Sequence, residues 1–157
     1  MKTNNKWTVK DVITTVLLTV VLIGIHFIVI TVSMVNQFFN CVLSPGVSMF
    51  FSAPVYILMV SRINKRFVSL ASLTILGLVY LLTGNWYLLP LWFFWDTFYA
   101  FAVASGMDQS YIESYLQYYT SPGWLIFIVA FAVICGFLGS ILGTRLMGKH
   151  FKKAGVL

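Results

Sequence analysis

One acid stands inside a strongly apolar block. Asp96 lies within Leu88 to Ala104, and Trp86, Tyr87, Trp92, Trp95 and Tyr99 surround it in sequence. Flat rings bury a ligand while a carboxylate or carboxamide fixes its orientation, so this composition describes a small-molecule pocket. An ionised Asp at the bilayer centre costs about 2.5 to 3.5 kcal/mol, and it therefore calls for a partner, water or a ligand. The simpler reading is an aromatic belt at the membrane interface, which for any single Trp carries as much weight. Asn85 in the same stretch, and Asn36 and Asn40 in an earlier polar connection, supply further groups that could anchor a ligand. The candidate substrate-binding set is thus Asn36, Asn40, Asn85, Trp86, Trp95, Asp96 and Tyr99.

Other chemistry finds little support. Cys41 and Cys135 have neither CxxC spacing nor a nearby His pair, so they predict packing residues and no metal or redox site. His26 sits in an apolar block without a second metal ligand close by, which favours a packing histidine over a pocket-lining one. No P-loop, GxGxxG turn, HExxH or GxSxG elbow is present. The expectation is a protein without cofactor, metal or enzymatic activity of its own.

These residues belong to a chain that is 60% hydrophobic and only 9% charged. A soluble domain of 157 residues could not cover such a composition with a polar surface, so the sequence predicts an all-α integral membrane protein in a single transmembrane domain. The net charge of +6 comes from bases that flank apolar spans, which points to anionic lipid headgroups and away from nucleic acid.

A span needs roughly 20 apolar residues. Four strong ones are expected, at 12–35, 45–60, 67–82 and 124–148. The first is too long for a removable signal peptide and lacks a small-residue cleavage site, so it is expected to stay. Pro45 is placed to open the second and Pro54 to kink it. The block at 88–104 is weak because of Pro90 and Asp96, and reads as a re-entrant or interfacial segment. Residues 108–119 read as an interfacial amphipathic helix, with Tyr111, Ile112, Tyr115, Leu116 and Tyr119 opposite Ser110, Glu113, Ser114 and Gln117. Ser121 and Pro122 mark the start of the last span.

All bases fall in three clusters: Lys2, Lys6 and Lys10; Arg62, Lys65 and Arg66; Arg145, Lys149, Lys152 and Lys153. Basic residues beside spans stay in the cytoplasm, so each intervening stretch should cross an even number of times and both termini should be cytoplasmic. Three apolar blocks occupy 67–144, and even parity is restored if 88–104 does not cross.

The last span carries Ala132, Gly136 and Ser140 at four-residue intervals, with Gly139 and Gly143 alongside. Such small residues let helix backbones approach closely. Packing against another helix of the same chain is the simpler reading, and docking of a separate subunit is the other.

The opening KWTVKDVI (Lys6 to Ile13), the run TILGLVYLLTGNW (Thr74 to Trp86) and the C-terminal GFLGSILGTRLMGKHFKKAGVL (Gly136 to Leu157) resemble the MptD, or Trep_Strep, family of energy-coupling factor (ECF) transporter S components. The resemblance implies a bacterial cell-membrane protein, six helices as the family norm, and capture of a vitamin-like molecule or other micronutrient from outside. It further implies docking onto a transmembrane scaffold subunit with two ATPase subunits, so that this chain binds and selects while the partners supply energy.

Two departures stand out. LLP at Leu88 to Pro90 runs directly into Trp92 to Tyr99, as though the end of a fourth helix and the start of a fifth had been joined. In the first helix, where many S components carry an Ala-x-x-x-Ala scaffold contact, Thr15 and Thr19 hold that spacing. The alternative to an active S component is a degenerate one, or a membrane interaction or assembly protein without a ligand.

Overall fold

The computed structural model describes residues 6–82 and 95–148. Its regular elements are helices: α1 Val9–Ser33, α2 Ser44–Ile63, α3 Val68–Leu82, α4 Trp95–Ala104, α5 Gln109–Thr120 and α6 Pro122–Leu146. A π-helical turn, Phe39–Leu43, runs straight into α2. No strand occurs among the described residues.

The start of α1 is a capping box built by TVKD. Asp11 N donates to Thr8 Oγ1 at 3.3 Å, and Thr8 N donates back to Asp11 Oδ2 at 3.0 Å. From there 25 residues extend about 37 Å at 1.5 Å each, enough for a hydrocarbon core of about 30 Å. The segments Phe39–Ile63 and Pro122–Leu146 are equally long, the former less apolar, and with α1 they make three helices among the described residues that could cross a membrane by length and composition. Asn64 in the left-handed conformation ends α2.

The expected spans differ from the helices in two places. The second begins as expected, with Pro45 in the first turn of α2, but its helical path is longer than 45–60, reaching back to Phe39 through the π-turn and on to Ile63. The segment at 67–82 is present as α3 but has only 15 residues, about 22 Å, short of the hydrocarbon thickness without bilayer thinning. Of the weak block at 88–104, residues 88–94 lie outside the described residues, and the remainder forms the ten-residue α4.

Two seams on α2 organise the bundle. On one side α6 runs parallel to α2: Gly46 meets Phe131, Gly139 meets Phe50 and Ala53, and Gly143 meets Pro54 and Ile57. A Cβ on Gly143 would lie 2.7 Å from Pro54 Cα, and one on Gly139 would collide with the Phe50 carbonyl oxygen. Pro54 has no N–H to give that carbonyl one turn back, and the Gly139 backbone lies against it instead.

On the other side α1 runs antiparallel to α2, and hydroxyls line the seam. Thr19 Oγ1 lies 3.0 Å from Ser72 Oγ of α3, and Tyr56 O–H donates to Ser69 Oγ at 2.7 Å. His26 Nδ1 is 2.8 Å from the Leu22 carbonyl, which can only accept, so Nδ1 carries the proton. Ser52 Oγ donates to Ser48 O at 2.6 Å and sits 3.3 Å from the same Nδ1, where it accepts. Apolar side chains such as Leu17 and Val133 face outward while Thr19 and Ser72 are buried. This is the arrangement a lipid solvent selects.

The helix directions bring the described bases together. Lys65 Nζ donates to the Lys6 carbonyl at 2.9 Å, joining the start of α1 to the end of α2. Because α6 is parallel to α2, Arg145 lies at that same end. The π-turn, α5 and the start of α6 occupy the opposite end.

Candidate functional site

The end opposite the bases is assembled around a second proline. Pro45 has no N–H to give the Cys41 carbonyl, and the Tyr119 hydroxyl donates to it at 2.9 Å. Burial, with Cys41 and Tyr111 adding to it, pushes the Tyr119 phenol above its ordinary range, so it stays a neutral donor. Gln37 reaches α5 from the connection after α1: its Nε2 donates to Ser110 Oγ at 2.9 Å, and its Oε1 accepts from Ser114 Oγ at 2.9 Å. These bonds hold α5 across the π-turn.

The predicted amphipathic faces of α5 both find protein partners. Ile112 is fully buried with Phe98 and Ala102 of α4, flanked by Tyr115 and Leu116. Tyr115 also reaches the cluster of Cys41, Val42 and Ile128, which Tyr118, Tyr119 and Trp124 cover. Tyr111, Tyr115 and Tyr119 form a row with ring centroids 5.4 Å apart at each step. Gly106, at φ +73°, makes the tight turn that folds α4 back onto α5. Helix α5 therefore docks on the bundle end in place of lying on lipid alone.

The structure brings part of the expected ligand set to this end. Asn36 is exposed, and its Oδ1 accepts from Phe39 N at 3.2 Å, capping the helical turn. Asn40 is only 8% exposed, and no hydrogen bond engages its carboxamide among the described residues. Asp96 is exposed in the first turn of α4. Tyr99, one turn on and exposed, accepts from Gln109 Nε2 at 3.3 Å; the same nitrogen lies 3.5 Å from Glu113 Oε1. Asn85 and Trp86 lie outside the described residues, as does the side chain of Trp95, whose backbone opens α4. Helix α5 packs against both the π-turn and α4, and so links the Asn36–Asn40 group to the Asp96–Tyr99 group.

The residues expected to serve helix packing or docking pack within the chain. Thr15 and Thr19 are 2% and 0% exposed, with Thr19 turned onto Ser72 and Met59, so this pair is not a surface offered to a scaffold. Gly139 and Gly143 are buried against α2, while Ala132, Gly136 and Ser140 are half-buried beside them. Sequence reading passed over the hydroxyl seam and Gln37. The seam had a signal: Ser44, Ser48, Ser52 and Tyr56 recur every fourth residue in an apolar helix.

Residues 9–90 and 87–153 match the family model described as a hypothetical bacterial integral membrane protein (Trep_Strep). The chain belongs to this family. The two matched blocks overlap at 87–90, beside the point where LLP runs into WFFWDTFY. No curated protein and no solved structure matches the chain.

Proposed function

We propose that this chain is a substrate-binding S component of an ECF-type transporter, which captures a vitamin-like small molecule or other micronutrient at the outer face of a bacterial membrane. The observation that carries this reading is the cover at the end of the bundle. Helix α5 packs on the turn that holds Asn40, and side-chain hydrogen bonds from Gln37 and Tyr119 fasten it there. Such bonds contribute only about 0.5 to 1.5 kcal/mol each, so a cover of this kind can open to admit a ligand. Retention of basic residues in the cytoplasm sets the end holding Lys6, Arg62 and Arg145 inside, both termini with it, and α4–α5 outside. A scaffold subunit and two ATPase subunits supply the energy; this chain catalyses no reaction and carries no cofactor.

Native mass spectrometry of the detergent-extracted protein tests the reading. A small molecule bound at one per chain is the expected result. The second reading, a degenerate S component or an assembly protein without a ligand, draws on the short passage from Leu88–Pro90 into Trp92–Tyr99 and on the internal use of Thr15 and Thr19. It expects stable co-purification with a membrane partner and no bound small molecule.

A further inference from the structure

Six of the described residues are bases, Lys6, Lys10, Arg62, Lys65, Arg66 and Arg145, and all lie at the end of the bundle where α1 begins and α2 and α6 finish. One described acid, Asp11, lies there with them. One of its carboxylate oxygens already accepts from Thr8 N at 3.0 Å and from Thr8 Oγ1 at 2.8 Å, and Lys10 and Lys65 both attract it electrostatically. Residues 1–5, 83–94 and 149–157 contain no Asp or Glu, so none of them supplies the missing negative charge. The protein leaves the charge of this end uncompensated.

Several of the bases converge on one corner. Lys65 Nζ donates to the Lys6 carbonyl at 2.9 Å, and Trp7 packs against the cluster of Met59, Ile63 and Val68, so the start of α1 is fixed beside the turn from α2 to α3. Asn64 and Phe67, both left-handed at φ 45° and 67°, bracket Lys65 and Arg66 in that turn. A left-handed backbone is costly for Phe, yet its ring is 68% exposed and finds little protein contact. Val9 and Ile13 in the first turns of α1, and Leu70 in the first turn of α3, are exposed as well. The corner is thus amphiphilic, with bases at the helix ends and bare apolar side chains beside them.

A phosphate among these bases would meet charge-assisted donors from two segments of the chain. A small free anion would engage the bases and leave Val9, Ile13, Phe67 and Leu70 uncovered. A lipid covers both, because its headgroup lies at the level of the helix ends and its chains run along the helices.

We infer that this corner holds an anionic phospholipid, its phosphate among Lys6, Lys10, Lys65 and Arg66 and its acyl chains along the exposed sides of α1 and α3. The inference does not depend on the capture reading. The test is thermal unfolding of the full-length protein in detergent micelles, titrated with phosphatidylglycerol or with zwitterionic phosphatidylcholine. Phosphatidylglycerol should raise the unfolding midpoint to a plateau, and phosphatidylcholine should not. Lys65→Gln and Lys10→Gln should each raise the half-saturating phosphatidylglycerol concentration about fivefold, the share of one base near an anionic surface, while Lys65→Arg should keep the wild-type response. Each shift is measured from the same protein without lipid, so a lower starting midpoint in a variant does not obscure it. Arg145→Gln, at the end of α6 on the other side of α2, should leave the response unchanged. Equal stabilisation by the two lipids would overturn the inference, as would a response that survives both Gln substitutions. A loss in Arg145→Gln as large as in Lys65→Gln would replace the corner by a diffuse basic field. The full shift with inorganic phosphate alone would overturn lipid as the occupant.

Discussion

Helix α2 and its π-turn contain two prolines, each of which deprives a carbonyl of its helical donor, and the molecule answers them in opposite ways. At Pro54 the Phe50 carbonyl meets the backbone of Gly139, deep in the α2–α6 seam. At Pro45 the Cys41 carbonyl receives the Tyr119 hydroxyl from α5. The first answer requires two helices to stay in close register. The second is a single side chain that can leave and return. One region is a frame and the other a cover, although both are built on the same defect in the same stretch of chain.

Substitutions at the frame should do most harm. Gly139→Leu forces a side chain into the Phe50 carbonyl and should destabilise the protein by about 3 kcal/mol in reversible unfolding from detergent micelles. Gly143→Ala, whose Cβ would stand 2.7 Å from Pro54 Cα, should cost about 1 to 2 kcal/mol by the same measurement. Gly136→Ala sharpens the point, because its nearest neighbour would be Met49 Cβ at 3.8 Å, an ordinary contact; its effect should stay within about 0.5 kcal/mol. A large cost at Gly136 would mean that general helix crowding, and not one carbonyl contact, sets the seam.

Substitutions at the cover should be milder. Tyr119→Phe leaves a partly buried carbonyl without its donor and should cost about 1 kcal/mol. The folded protein keeps the Tyr119 proton to higher pH than the unfolded chain does, so the contribution of this contact is complete below about pH 10 and declines as pH rises beyond it. A wild-type unfolding titration above that pH should show the decline, and Tyr119→Phe should remove it. Gln37→Ala should change stability least, by about 0.5 kcal/mol, because its partners Ser110 and Ser114 can turn to water.

Much of the frame was legible in the sequence, since hydrophobic length alone places α1 and α6 to within a few residues. The glycine ladder also announced a close approach, though not which helix it approached. Pro45 marks the start of α2 to within one residue, but the π-turn that carries the helical path back to Phe39 has no periodicity of its own to announce it. Thr15 and Thr19 share a face in any helix; only the antiparallel packing of α1 on α2, beside α3, decides that this face looks inward. At the outer end, Asn40 could be named as a polar residue in a connection, but the π-turn that holds it is fastened to α5 by Tyr119, nearly eighty positions away. Long-range placement of that kind has no local sequence signal.

The most direct test of a movable cover on a locked frame is hydrogen–deuterium exchange of the detergent-solubilised protein, followed peptide by peptide. Amides of 109–120 should exchange well before those of α2 and α6 around Phe50 and Gly139, reporting local opening of α5 while the seam stays closed. Equal protection of α5 and the seam, or exchange of both in one cooperative event, would contradict the account.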